Sequence, residues 1–206
     1  MFSTFEINEL RIAVRSYMSE YRYNHTLGVE RAASALGSIL LPESLSELQA
    51  AALLHDVTKE LSIDEQLILL DSSGTILTDE DKATLPAIHS FSAVPFIRMN
   101  FPRFATENIL SSVSHHTLGA EKLSLFDKII FISDFIEDGR AYTGCIKTAE
   151  LVRNSIKPEN TPDENMFSLD QAIVMALDFT ISSVISKNQR PHSASLAMRH
   201  SLCGEN

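Results

Sequence analysis

The chain lacks tryptophan, holds only two cysteines and seven glycines in 206 residues, and carries fewer basic than acidic side chains. Each scarcity excludes something. Cys145 and Cys203 lie far apart and show no C-x-x-C spacing, so neither a disulfide framework nor a thiolate zinc site is expected. A reducing, cytoplasmic setting fits that usage. With 17 Lys and Arg against 27 Asp and Glu, the formal charge of −10 argues against a nucleic-acid partner, since affinity for a polyphosphate backbone rests on basic side chains neutralising it. Uninterrupted apolar runs are missing too. Asp134 breaks the stretch 129–136 and Asp178 breaks 173–185, well short of the roughly 20 apolar residues a bilayer needs, so no membrane role is expected. The opening Met1-Phe2-Ser3-Thr4-Phe5-Glu6 has an early acid and no basic-then-apolar pattern, unlike a secretory signal.

What is present reads as an ordinary globular chain, large enough to bury one core without covalent staples. Apolar residues recur every three to four positions with little strand-like alternation, which predicts an all-α fold. The expected helices are 6–18, 25–41 ending at Pro42, and a third opened by a Ser44/Glu47 capping box and closed at His55-Asp56. A Ser62/Glu65 box opens 63–71, and an acidic turn at Thr78-Asp79-Glu80-Asp81 leads to Pro86. Further helices follow at 91–99, 106–116 and 125–137, the last capped by Ser124. Beyond Arg140 the signals weaken until Ser168 with Gln171 opens a last helix to about residue 187. A single domain spanning 1–206 is expected, with its last helix docked back and a loosely ordered tail over 188–206.

An apolar helical run that ends in an imidazole and a carboxylate side by side, as Ala50-Ala51-Ala52-Leu53-Leu54-His55-Asp56 does, has no packing reason to do so. Such groups are costly to bury unless paired or bound to a metal. The chain supplies candidate companions in His25, His89, His115 or His116, and Asp134, most of them at helix ends. All are imidazole or carboxylate, a set that suits iron, manganese, nickel or zinc. Any one of these histidines alone reads more simply as a surface or capped core residue. The adjacent pair with four further candidates does not.

The order His … His-Asp … His … His … Asp resembles the HD-domain metal-dependent phosphohydrolases, an all-α superfamily whose metal site lies between helices. More closely, Arg22-Tyr23-Asn24-His25-Thr26-Leu27-Gly28-Val29, Ala51-Ala52-Leu53-Leu54-His55-Asp56-Val57-Thr58-Lys59, His116-Thr117-Leu118-Gly119 and Asp134-Phe135-Ile136-Glu137-Asp138-Gly139-Arg140 are similar to the YqeK group of bacterial symmetrical dinucleoside tetraphosphatases. The similarity covers residues 21–142 and runs faintly on to Arg199. It implies a dinuclear centre, usually assigned as iron, with His25, His55, Asp56 and Asp134 on one metal and Asp56 bridging to a second held by His89 and His116. His115, where relatives commonly have an aromatic residue, is expected to neighbour the site as a substrate contact. Ser90 and Asp138 depart from the group's usual Gly and Pro, which directs attention to the pocket wall and the loop presenting Arg140.

A centre of this kind supplies a water-derived nucleophile at neutral pH and polarises a phosphoryl oxygen, so no side-chain nucleophile is required. Distal phosphate charge must be met elsewhere. Lys59, almost one helical turn past Asp56, and Arg140, a planar fork, are the expected catalytic cations, with Arg22 as a further substrate contact. For each, the alternative is a solvated surface cation. Glu137 either orients a ligand or caps charge at a helix end. The expected reaction is diadenosine tetraphosphate to two ADP, with a small-molecule nucleotide as partner and a homodimer left open. The alternatives are an HD-type nucleotidase or phosphodiesterase on another nucleotide, and a non-catalytic nucleotide-binding module.

Overall fold

The computed structural model describes residues 1–204 and contains, among them, eleven α-helices and no strand. The helices are α1 Thr4–Val14, α2 Glu20–Leu40, α3 Leu45–Leu54, α4 Ile63–Ser72, α5 Asp79–Ala83, α6 His89–Asn100, α7 Glu107–His115, α8 Leu125–Ile136, α9 Thr143–Ser155, α10 Pro162–Ser186 and α11 Ser193–Cys203. Capping chemistry sets most of the starts. Reciprocal boxes form at Ser3/Glu6, Ser62/Glu65, Thr78/Asp81, Ser124/Asp127 and Thr161/Glu164, each satisfying orphan N–H groups of a first turn.

Helix α3 is the axle of the bundle. Leu48 and every residue from Ala50 to Leu54 are buried, so its C-terminal half is apolar on all sides, as a helix enclosed by others must be. It packs against α1, α2, α7 and α8. Close approach of α2 depends on Gly37, where an added Cβ would come within 2.5 Å of Leu48 Cδ1. The core continues through Val29, Ala33 and Leu36 of α2, Ile109 and Val113 of α7, and Ile129, Ile130 and Ile132 of α8.

Several boundaries differ from the sequence expectation, each for a local reason. Helix α2 starts at Glu20 under a Ser19 cap, which puts His25 in its second turn rather than at its head. The Ser44/Glu47 box does not form. Ser44 lies at the end of a 3-10 turn, and Glu47 instead accepts hydrogen bonds from the Thr106 hydroxyl and, at 3.1 Å, from Asn108 Nδ2. The acidic turn at Thr78 is a short helix, α5. Helix α9 has no counterpart in the expectation, and α10 begins at Pro162, well before Ser168, because Pro at the first helical position suits a helix start.

The tail expected to be loosely ordered forms α11. His192 caps it, Gly204 closes it at φ +67°, and Ser195 Oγ donates to the Leu118 carbonyl at 2.7 Å. Residues 205–206 of that expectation lie outside the described residues. Helix α10 is long and apolar enough, by length and composition, to cross a bilayer. Its buried stripe of Leu169, Ala172, Ile173, Ala176 and Leu177 packs here on α8, α9 and α11.

Replacing Leu53, fully buried on α3, with Ala is expected to lower unfolding free energy by about 2–5 kcal/mol in a urea titration, through lost burial plus a cavity. The same truncation at Ile76, 92 % exposed, is expected to change it by less than about 0.5 kcal/mol.

Candidate metal centre

Four helix ends and one helix interior converge on a single point. His25 comes from the second turn of α2, His55 is the C-cap of α3 with Asp56 next to it, His89 opens α6, His116 is the C-cap of α7, and Asp134 lies in the last turn of α8. The turn after α3 is tied to the head of α6, since Thr58 Oγ1 donates to the His89 carbonyl at 2.9 Å and Ser92 Oγ to Thr58 Oγ1 at 2.9 Å. This fixes Asp56 against His89.

Each imidazole is held from behind through Nδ1. The acceptors are the Ala52 carbonyl for His55 (2.7 Å), Pro86 for His89 (2.9 Å), Val113 for His116 (2.7 Å) and Glu137 Oε1 for His25 (3.1 Å). A carbonyl or carboxylate partner assigns the proton to Nδ1 and leaves Nε2 as a bare lone pair. All four Nε2 atoms point inward. They form two pairs, His25 with His55 at 3.3 Å and His89 with His116 at 3.1 Å. Two lone pairs at that separation cannot hydrogen-bond each other, so a positive charge between them is the arrangement that stabilises them.

The carboxylates divide in the same way. Asp56 Oδ2 lies 3.4 Å from His55 Nε2 and 3.6 Å from His25 Nε2, while Oδ1 lies 3.1 Å from His89 Nε2 and 3.5 Å from His116 Nε2. Asp134 Oδ1 completes the first group at 3.1 Å from His25 Nε2. His25, His55 and Asp134, and likewise His55, Asp56 and His116, present donor atoms close enough to share one ion. The nitrogen and oxygen donors, with no thiolate, fit first-row cations.

Electrostatics favour the same occupant. Burial, the largest influence on both carboxyls, is outweighed by the His55, His89 and His116 imidazoles around Asp56 and by the Arg140 guanidinium and His25 beside Asp134, so both are held well below the usual carboxylate range. Burial pushes His89 down to about 4 despite the Asp56 carboxylate, which keeps its Nε2 unprotonated at neutral pH. At His25 burial, the largest influence, is outweighed by Asp134, Glu137 and Asp56, which raise its pKa above the ordinary histidine value.

Three cations stand at the same cavity, whose volume is about 320 Å³. Arg22 Nη1 donates to Asp56 Oδ2 at 2.6 Å, and Arg140 Nη2 to Asp134 Oδ1 at 2.6 Å. Lys59 Nζ donates to the Pro86 carbonyl at 3.1 Å and sits 3.1 Å from His89 Nδ1. Burial lowers the Lys59 pKa, and the Asp56 and Asp134 carboxylates act against that fall.

Other expected contacts fall elsewhere. His115 is half-buried, 3.4 Å from Ser111 Oγ, and lines a separate groove with Phe91 and Arg98, so it does not join the cavity. Ser90 Oγ donates to the Ala87 carbonyl and Asp138 lines a separate groove with Arg31 and Arg153, so neither departure from the family pattern forms the cavity wall. His192 lies 3.2 Å from Asp81 and Arg199 pairs with Asp178, also away from the cavity lining. Conversely, Thr117, Thr180 and Ser195 do line it. Thr117 Oγ1 lies 3.0 Å from His116 Nε2 and 3.2 Å from His89 Nε2, and its place in the His116-Thr117-Leu118-Gly119 motif was the available signal. Nothing local marks Thr180 or Ser195, which long-range packing of α10 and α11 delivers.

A model of the HD domain matches residues 22–180. The chain belongs to the HD-domain family. As an HD-domain phosphohydrolase it is of a metal-dependent class, and its histidine and aspartate groups could hold metal ions. It is 29% identical over 192 residues to a Halalkalibacterium halodurans protein named bis(5'-nucleosyl)-tetraphosphatase, symmetrical, covering 92% of each chain. Proteins of the same name from Bacillus subtilis (25% identical, covering 88% of this chain and 89% of that one) and Staphylococcus aureus (24%, covering 83% and 84%) are also similar. Among solved structures, a predicted HD superfamily hydrolase involved in NAD metabolism from Clostridium acetobutylicum superposes with a TM-score of 0.81, at 28% identity and over 100% of both chains.

Two outcomes follow from this HD-domain centre. Asp56→Ala is expected to lower the metal bound per chain relative to the wild type, measured by elemental analysis of the purified protein. Glu137→Gln, which removes the carboxylate behind His25, is expected to weaken metal affinity about 10–100-fold in competition with a chelator while leaving helical circular dichroism unchanged.

Proposed function

We propose that this chain hydrolyses dinucleoside tetraphosphates symmetrically, with diadenosine tetraphosphate and water giving two ADP. The observation that carries the reading is Asp56 set between two inward-facing histidine pairs, at a cavity edged by Arg22, Lys59 and Arg140. The shared name of three relatives over most of both lengths supports the choice of substrate.

In this reading His25, His55, Asp134 and Asp56 would hold one cation and His89, His116 and Asp56 a second, with iron the preferred metal and manganese, nickel or zinc compatible with the same donors. Such a pair of cations acidifies water and draws charge from a phosphoryl oxygen. The protein groups do the rest. Glu137 and the three backbone carbonyls behind the imidazoles hold every Nε2 on its target. Arg22 and Arg140, whose carboxylate partners are also metal ligands, present planar forks to phosphate oxygens once those carboxylates are otherwise engaged. Lys59, on the His89 side, meets charge on the departing diphosphate.

A second reading keeps the site and changes the substrate. The Clostridium acetobutylicum relative's stated link to NAD metabolism favours a nucleotidase or phosphodiesterase acting on another nucleotide. Chromatography of products from diadenosine tetraphosphate with iron-loaded protein is expected to show ADP alone. AMP with ATP would overturn symmetrical cleavage, and faster turnover of NAD, a deoxynucleoside monophosphate or a cyclic dinucleotide would establish the second reading. No turnover of any nucleotide by metal-loaded protein would leave a non-catalytic binding module.

A further inference from the structure

The floor of the cavity consists of Asp56, His89 and His116, and its sides carry Arg22, Lys59 and Arg140. That chemistry takes phosphate. At about 320 Å³ the cavity is near the lower end of the roughly 300–1,000 Å³ typical of small-molecule sites, too small to enclose a polyphosphate together with both nucleosides. The bases of a substrate seated there must therefore lie at the rim.

Next to Arg22, one of the residues that line the cavity, stands Tyr21. Its ring is 79 % exposed, and the Arg22 guanidinium carbon lies 5.9 Å from the ring centroid. The same guanidinium reaches inward to Asp56 at 2.6 Å, so the tyrosine ring is coupled through one side chain to the point where the two histidine pairs meet. The neighbouring tyrosines are used differently. Tyr23 is half-buried and donates its hydroxyl to the Arg11 carbonyl, and Tyr17 packs edge-on to Phe96 and Phe101. Tyr21 alone of the three offers a large, open aromatic face beside a phosphate-binding cation. We propose that Tyr21 is the stacking platform for one nucleobase of the substrate, in line with the Arg22 guanidinium.

The inference rests on the nucleotide reading above and adds a base subsite to it. A guanidinium on one side polarises the phenol ring, and a base on the other gains stacking area at little entropic cost, because a tyrosine has few rotors to fix. Every base has a π face, so such a platform confers affinity for a nucleoside without choosing adenine over guanine.

The absence of tryptophan makes the test direct, because Tyr21→Trp yields a protein with a single indole, at this position. Its emission is expected to be quenched by ADP and by GDP and to be unchanged by tripolyphosphate, which has no base. Tyr21→Ala is expected to raise KM for diadenosine tetraphosphate about tenfold with kcat retained, and Tyr21→Phe to restore the wild-type KM. Equal quenching by tripolyphosphate, or a Tyr21→Ala enzyme with wild-type KM, overturns the platform. Failure of the wild-type protein to cleave any dinucleoside tetraphosphate is a separate result, which overturns the substrate reading instead; in that case ADP quenching still reports whether a base stacks at Tyr21.

Discussion

The Asp56 carboxylate turns one oxygen to each of two imidazole pairs, 3.1 Å from His89 Nε2 on one side and 3.4 Å from His55 Nε2 on the other. Around it four Nε2 lone pairs face inward, because every Nδ1 proton is taken by an acceptor behind the ring. The Thr117 hydroxyl can donate to only one of the two Nε2 atoms it faces, so hydrogen bonds alone do not satisfy this array of lone pairs and carboxylates. It is stabilised by positive charge, and Arg22 and Arg140 each donate to one of its two carboxylates. The rest of the structure can be understood as what is needed to hold this array against its own repulsion.

Helix ends are well suited to that task. Three of the four histidines sit at a helix boundary, where the chain leaves the regular ladder and a side chain can reach across it. His55, His89 and His116 each donate Nδ1–H to a carbonyl three residues earlier in the chain, which spends a carbonyl at a turn or helix end and fixes the ring at the same time. The fourth, His25, lies within α2 and uses Glu137 instead, which is why Gly28 is needed one turn on: a Cβ there would collide with the Glu137 carboxylate. Rigidity comes from α3, buried through its C-terminal half, whose end delivers His55 and Asp56 to the centre of the bundle.

The acidic total charge and the anionic substrate class are reconciled locally. Arg22, Lys59 and Arg140 are separated by long stretches of sequence yet meet at one cavity, while many of the acids lie in first turns as capping partners on the outside of the bundle. Charge spent on capping is far from the site and screened by solvent, so it does not repel a ligand at the cavity.

The sequence by itself determined the helical class, the starts of α4 and α8 and the roster of imidazoles and carboxylates, because capping residues and a 3.6-residue period are local signals. It also placed His55 beside Asp56, which no tertiary contact could create. Spacing left His115 and His116 open and the motif resemblance favoured His116; the tertiary structure turns His116 inward, since adjacent residues on a helix end point in directions about 100° apart and the choice depends on what packs around them. Only it set Glu137 behind His25, brought Thr180 and Ser195 to the cavity, and made a helix of residues 193–203 that carry little periodic signal of their own. The placement of Thr180 and Ser195 and the 193–203 helix depend on α10 and α11 folding back over the bundle, an outcome of buried area summed across many distant residues rather than of any short stretch.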